Sequence, residues 1–368
     1  MYLGTKPSIL RPGFLYAEWQ LRRVHAPFTS EITQNILAQY GLTLTRAPQC
    51  TPGGQGRSHS AVVYTNQGKK FFKQYKKSLT RSAIEHEHSI LKYLDKVNFL
   101  AAPRLVATQA GTTVVHHEGA YYVLFDFIED GFQYYKYVML PSQTKRFVIM
   151  AGKLLAQLHQ VLTDFTPAGS NPNGFISRTG ERWHELDWYL DKLRENVKAP
   201  LPQMHTLTDR APDLERALCA LDQHLRELNL PRTTIHGDYG PHNLLFRKNA
   251  PVVILDFEIA RLDWRALDMV NALWRIGKDK PFRARRDRIE WFFDAYNSVT
   301  PLTRNEQRAL PQLWKFSHVR RVISNWWEYS RTCDEFNRTK AFRHLQLYDW
   351  IDAYPSYLQF EGMEQARL

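Results

Sequence analysis

The stretch IHGDYGPHNLL, residues 235–245, sets Asp238, Asn243, His236 and His242 around two glycines and a proline, directly before an apolar run. A carboxylate in a glycine-flanked turn can face a cleft and take a proton from a hydroxyl. Asn243, five residues on, brings an amide oxygen, which suits a hard cation. Further along, ILDFE places Asp256 at the expected end of a second apolar strand, 252–257. A carboxylate there is costly unless something charged meets it. Mg²⁺ is the natural partner, because it takes one or two carboxylates, amide oxygen, water and phosphates. The three residues together therefore read as a proton acceptor, Asp238, beside an Mg²⁺ site, Asn243 and Asp256, on the phosphates of a nucleotide. Taken singly, an aspartate is more often a turn residue and an asparagine a local cap. The joint pattern His-x-Asp-x-x-x-x-Asn, then a strand, then Leu-Asp-Phe carries the inference.

A phosphate site of this kind asks for a lysine on an upstream strand and a glutamate on the next helix to hold it. Lys73 lies between Phe72 and Tyr75 in KKFFKQY, whereas Lys69 and Lys70 sit nearer the turn and are expected to be solvated. On a wheel of about 100° per residue, Glu87 falls on the same side as Ile84, Leu91 and Leu94, and Glu85 points away. Glu87 is thus a carboxylate inside an apolar stripe and needs a cation. Gly54 and Gly56, in GGQGRS before the first strand pair, would let backbone N–H groups approach phosphates. Asp126 and Ile128, where a buried strand ends, would offer backbone groups to adenine. Asp268 reads as a brace of the catalytic loop, His236 as its hydrogen-bonding anchor, His159 as a satisfied core histidine and His242 as loop filling.

The elements that must hold these groups follow from periodicity. Residues 31–40 read as a helix capped by Ser30 and stopped by Gly41. Residues 61–65 and 69–75 form a hairpin around Asn66-Gln67-Gly68. A helix over 82–95 and a buried strand over 121–128 complete a strand-rich first third. From 145 onward the pattern is helical: 145–162 carries Phe147, Met150, Leu154, Leu155, Leu158 and Val161 on one stripe. A linker at 166–174 follows, then helices over 187–196 and 213–228, and aromatic-rich helices after the second motif. The expected class is α+β: an extension over 1–30, a nucleotide-binding lobe over 31–128 and a helical lobe over 129–368.

The chain of 368 residues is long enough for two cores, and 43% hydrophobic residues exclude a disordered protein. A net charge of +12 suits anionic partners such as nucleotides, nucleic acid or a membrane surface, but with no block of five or six like charges it reads chiefly as an aid to solubility. Three scattered cysteines argue against a disulfide framework or a zinc site and for a reducing, cytoplasmic setting. No signal peptide and no membrane span is expected.

LLAQLH (154–159), IHGDYGPHNLLF (235–246) and VVILDFEIARLDWRALDM (252–269) resemble the aminoglycoside phosphotransferase and choline kinase family, near the type II homoserine kinases and the spore-coat kinase-like group. The likeness runs over residues 31–330. It implies a bilobal protein-kinase-like fold, ATP and Mg²⁺, and transfer of the γ-phosphoryl group to a small-molecule hydroxyl. The family's base falls on Asp238, its metal ligands on Asn243 and Asp256, and its nucleotide lysine and helix glutamate on Lys73 and Glu87. Protein kinases differ: no lysine stands two residues after Asp238, Asp-Phe-Glu replaces Asp-Phe-Gly, and no Ala-Pro-Glu segment follows. A protein acceptor is therefore disfavoured. A catalytically silent scaffold and a nucleic-acid-binding protein are the rival readings. For the acceptor two readings stay open. Trp326-Trp327 with Glu328 could wall a cationic acceptor, while Arg261, Arg275, Arg320 and Arg321 favour a carboxylate or phosphate. Arg283, Arg285, Arg286 and Arg288 read as a solvated helix face.

Overall fold

The computed structural model describes residues 28–51, 59–76, 79–133, 141–165, 186–247, 251–280 and 283–360. The chain forms two compact units: residues up to Arg81 with Arg104–Glu129, and Ser82–Pro103 with Asp130 onward. The expected extension over 1–30 lies almost wholly outside the described residues, as do the linker at 166–174 and the glycine stretch holding Gly54 and Gly56.

The first unit opens with α1 (Ser30–Ala38). Its cap is Thr29 and not Ser30: the Thr29 hydroxyl accepts from the Ile32 N–H, and Ser30 already belongs to the helix. Strands β1 (Leu44–Cys50), β2 (His59–Thr65), β3 (Gly68–Gln74), β4 (Val115–His117) and β5 (Ala120–Asp126) form one antiparallel sheet in the order β1-β2-β3-β5-β4. The β2–β3 register pairs Thr65 with Gly68, and Gly68 takes φ 89°, which a glycine reaches without strain. Alternation sends Ala61, Val63 and Phe72 into a core with Phe28, Ile36, Leu37, Tyr122 and Leu124. Phe72 stacks on Tyr122 at 5.5 Å between ring centroids. β5 ends at Asp126, so Phe127 and Ile128 lie beyond the strand.

The second unit begins with α2 (Arg81–Lys96), most of which it contains. Helices α3 (Pro141–Val161), α4 (Leu186–Lys198) and α5 (His205–Glu227) follow. On α3, Phe147, Leu154, Leu155 and Leu158 are buried, and Met150 and Val161 sit at the half-buried edge of the stripe. Two small sheets then frame the motif region. β7 (Arg232–Ile235) pairs antiparallel with β10 (Arg261–Trp264). β8 (Leu244–Arg247) lies between β6 (Gly131–Gln133) and β9 (Val253–Ile254). After β10 the chain runs into α6 (Arg265–Gly277), a short hairpin β11 (Lys278–Lys280) and β12 (Arg283–Ala284), and helices α7 (Arg286–Asn297), α8 (Arg304–Thr332) and α9 (Glu335–Ala353). α8 starts in a capping box between Thr303 and Glu306. The fully buried Glu306 also takes Arg265 Nε and Nη2 at 2.7 and 2.8 Å, which ties the start of α8 to the start of α6. Among the described residues, no helix is long and apolar enough to cross a membrane.

Candidate active site

The loop between β7 and β8 is held by one buried carboxylate. Asp268, on the first turn of α6, has no solvent exposure. It accepts from the His236 N–H at 2.8 Å and the Gly237 N–H at 3.1 Å, and His159 Nε2 lies 3.2 Å from its Oδ2. Burial pushes the Asp268 carboxyl up, but the hydrogen bond and charge of His159, with the backbone N–H of His236, outweigh that and hold it below its ordinary value. His159 Nδ1 meets Tyr296 Oη at 2.7 Å, so its ring is satisfied on both sides within the core.

His236 fixes the loop to the segment that carries Asp256. Its Nδ1 accepts from the Asp238 N–H at 3.2 Å, which leaves Nε2 to carry the proton donated to Leu255 O at 2.9 Å. Burial disfavours its charged form and lowers its pKa. A neutral ring with one acceptor and one donor is the form both bonds require. Asn243 makes a second tie, its backbone carbonyl accepting from the Leu255 N–H at 2.8 Å.

Gly237 explains one glycine of the motif. It takes φ 79°, and a Cβ there would come within 2.6 Å of Arg261 Nη1 and 2.8 Å of Ile259 O. Gly237→Ala is expected to cost about 2 kcal/mol or more from backbone strain and overlap together, read as a lower urea midpoint at unchanged slope. Gly240 serves differently: a Cβ would lie 2.9 Å from Arg275 Cδ, so its small size makes room for that arginine.

Asp238 sits at the tip of the loop with its side chain 29% exposed. Arg275 Nη2, from the last turn of α6, lies 2.5 Å from Oδ1. His242 Nε2 lies 3.1 Å from Oδ2, and Asn243 Nδ2 donates to the same oxygen and to Asp238 O, both at 3.0 Å. Desolvation raises the carboxyl, but the charge of Arg275 and the hydrogen bond and charge of His242 override it and hold Asp238 far below the ordinary carboxylate range. It is ionised at any working pH. Arg275 Nη1 also reaches Tyr239 O at 3.4 Å, and Tyr239 Oη is anchored on Ala151 O at 2.8 Å. Neither Arg275 nor His242 was singled out from the sequence as touching Asp238. His242, read as loop filling, stands at i+4 from Asp238, a spacing that could have raised it.

Asp256 departs from the expected geometry. Strand β9 stops at Ile254, and Asp256 is exposed between half-buried Leu255 and buried Phe257. No burial penalty acts on it. What is unusual is its backbone, at φ 65°, a conformation that a non-glycine residue adopts at some cost. Asn243 is buried, and its amide nitrogen is committed to Asp238, which turns its oxygen away from that residue. No three His, Cys, Asp or Glu side chains cluster as a metal cage among the described residues. A cation that keeps its waters and binds phosphate oxygens needs only the one carboxylate and one amide oxygen found here. The donor set fits Mg²⁺ and not Zn²⁺.

In the first unit, Lys73 lies on the face of β3 opposite Phe72, across from Ser60 and Val123, with Nζ 4.9 Å from the Tyr75 ring centre. Lys70 pairs with Asp126 at 2.7 Å and Lys69 with Glu129 at 3.0 Å, so both are engaged in ion pairs. The Asp126 N–H donates to Arg104 O at 2.9 Å and is committed to the protein, while Ile128 is half-buried past the strand end. In the second unit Glu87 is only 3% exposed, between buried Ile84 and Leu91, and Glu85 is exposed.

Residues 49–302 match the model of the phosphotransferase enzyme family. The homoserine kinase of Afipia carboxidovorans is 26% identical over 265 residues, 72% of this chain and 74% of that one. Among solved structures, a microcompartment-associated aminopropanol kinase covers 90% of this chain and 98% of its own at a TM-score of 0.63 and 17% identity. An amicoumacin kinase solved with AMP-PNP and Ca²⁺ covers 94% and 99% at a TM-score of 0.65 and 13% identity. A strand-rich unit followed by a helical one, with the His-Gly-Asp loop braced from α6, defines a protein-kinase-like phosphotransferase. The chain belongs to the phosphotransferase enzyme family, whose members here are small-molecule kinases that move a phosphoryl group from ATP to a hydroxyl.

Proposed function

We propose that Asp238 is the catalytic base of this kinase, that Asn243 and Asp256 hold Mg²⁺, and that Lys73, with Glu87, serves the nucleotide phosphates. The single observation that carries this reading is the fixed carboxylate of Asp238. Its loop is tied by Asp268 and His236, and its oxygens are met by Arg275, His242 and Asn243. Asp238 would receive the acceptor hydroxyl by hydrogen bond and take its proton as the bond to the γ-phosphorus forms and the bond to the β,γ-bridging oxygen breaks. Bound Mg²⁺ would neutralise charge on the β- and γ-phosphates. The protein's own share is positioning and preorganised charge. A cytoplasmic setting belongs to the same proposal, since ATP is the donor.

The acceptor is sought by ADP release with MgATP across homoserine, choline, ethanolamine, aminoglycosides, methylthioribose and simple sugars. Turnover that disappears in Asp238→Asn supports the assignment; unchanged turnover in that variant sinks it. Asp256→Ala is expected to weaken Mg²⁺-dependent ATP binding by about tenfold or more while metal-free nucleotide binding changes little. Equal loss in the presence of EDTA would assign Asp256 to structure.

Arg275 sets the pH behaviour. With Asp238 depressed, its charged form persists down to acidic pH, and no acid limb of kcat/KM near neutrality comes from this group. Arg275→Met removes the largest opposing charge, so desolvation acts on the carboxyl with less resistance. The acid limb should then move to higher pH. A limb that stays in place would mean that Arg275 does not govern Asp238.

A further inference from the structure

The aromatic wall that the sequence offered to a cationic acceptor is taken. Trp326 is fully buried, and Trp327 donates to Glu195 at 2.8 Å, with Lys192 and Arg331 at 5.0 and 4.5 Å from its ring centre. Another surface of the second unit is open. The turn after α2, the exposed side of α3 and the residues leading into β9 enclose a trough of about 990 Å³. Phe99, Leu100, Ile149, Met150 and Val252 supply its apolar lining. Leu100 is 58% exposed, and Val97 in the same turn is 42% exposed. Among the described residues five large hydrophobics are exposed, and this one turn holds two of them, Leu100 the most exposed of all. Apolar side chains gathered in water beside a groove mark a surface for a partner.

The walls are fixed to one another. Asn98 takes φ 56° and turns the chain out of α2, and the Phe99 N–H donates to Leu94 O at 2.8 Å. The Ile254 N–H donates to Ala101 O at 2.8 Å, which pins the turn to β9. Tyr93 Oη donates to Val161 O at 3.3 Å, which pins α2 to the end of α3. An occupant therefore meets a preformed surface and loses little to its ordering.

The rim has one sign of charge. The 21 residues of α3 contain no Asp or Glu. Its exposed Lys145, Arg146 and Lys153 line the trough, and no lining residue is a carboxylate. Elsewhere in the second unit, exposed cations such as Arg194, Arg216, Arg226 and Arg331 pair with an acid three or four residues away. Lys145 instead lies 5.2 Å from the Trp291 ring centre, and Arg146 and Lys153 have no carboxylate partner among the described residues. Lys145 and Lys153 are eight residues apart, about 12 Å along the helix. One carboxylate or phosphate head group cannot meet both. A flat lipid surface would touch the rim and miss the recessed floor, where Leu154 and Val252 are buried. A helix with apolar side chains on one stripe and acids two turns apart fits both features.

We propose that this trough docks an acidic amphipathic helix of another protein. Its apolar stripe would lie on Leu100, Ile149 and Met150, and its carboxylates would meet Lys145, Arg146 and Lys153. Exposed ion pairs add little affinity, so the apolar floor supplies most of it and the cations select the partner. The role given to Asp238 does not enter this proposal.

The test selects displayed random peptides, about five helical turns long, on the full chain, and titrates the enriched ones by fluorescence anisotropy. Peptides with Leu, Ile, Phe or Met at helical spacing, flanked by Asp or Glu, are expected to bind saturably. Binding should weaken about tenfold or more in Arg146→Glu/Lys153→Glu and in Leu100→Asp, and persist in Lys153→Arg. These side chains are exposed, so circular dichroism and the thermal midpoint of each variant should match wild type, and both are measured first. Failure to enrich any saturable binder, enrichment of peptides without acids, or equal binding in both folded variants overturns the proposal. Self-association in light scattering that Leu100→Asp abolishes would give the trough to a second copy of the chain. Cosedimentation with phosphatidylcholine–phosphatidylserine vesicles that the charge reversal abolishes would give it to a membrane. Either result also overturns the proposal.

Discussion

Asp238→Asn is expected to lower kcat by about three to four orders of magnitude and to leave the Kd for MgATP within about twofold. The amide keeps the volume and can still accept from Asn243 Nδ2 through its oxygen. It cannot take the proton of the acceptor hydroxyl, and it loses the charge that Arg275 and His242 now meet. The nucleotide is assigned to other residues, so its affinity should hold. Single-turnover rates with saturating ATP, beside nucleotide titration of the same variant, separate the two effects. A loss confined to KM would make Asp238 a binding group, and an unchanged kcat would remove it from the chemistry.

Asp268→Ala is the largest expected loss of stability, about 3–5 kcal/mol. Its carboxylate is fully buried and answers two backbone N–H groups and the His159 ring. Truncation leaves these donors buried without a charged partner. The loop then loses the brace that sets His236 and, through it, the Leu255 carbonyl beside Asp256. Denaturant unfolding should show the lower midpoint, and activity should fall even where the variant is folded. The pH dependence has a definite sign. Because folding depresses the Asp268 carboxyl, its contribution is present above the carboxyl's unfolded value, near 4, and is lost as pH falls through the lower folded value. Wild type and Asp268→Ala should therefore converge in stability under strong acid. Parallel curves down to that range would refute the role of the charge.

The site was legible in proportion to how local its signals are. Asp238 and Asn243 are five residues apart in one loop, and the glycine beside Asp238 is demanded by a φ of 79°. Glu87 is buried because helical period places it on the stripe of Ile84 and Leu91. Hairpin β2–β3 follows from alternation and a glycine at the turn. Asp256 misled in one respect. An apolar run suggested a strand through residue 257, but pairing with β8 covers only Val253 and Ile254, and the chain then turns left-handed. Run length signals burial, whereas strand length depends on a partner with matching hydrogen-bonding groups. The same limit applies to Ser30, which lost the cap to Thr29 because capping depends on which residue keeps extended dihedrals, and Thr29 has ψ 157°.

By itself the sequence determined the chemistry available: an aspartate, an asparagine and a second aspartate in the order a phosphotransferase uses, with Asp268 and His236 to brace them. Those assignments rest on spacing within one or two elements, where chain geometry alone restricts the outcome. Only the tertiary structure decided which charges meet. Arg275 reaches Asp238 across 37 residues because α6 packs beside the loop and Gly240 leaves room. Arg261 and Arg320 turn inward while Arg275 stays at the site. Lys192 and Arg331 cover Trp327. Long side chains of one type look alike in a sequence. Their partners are set by the packing of separate elements, and no local period records that.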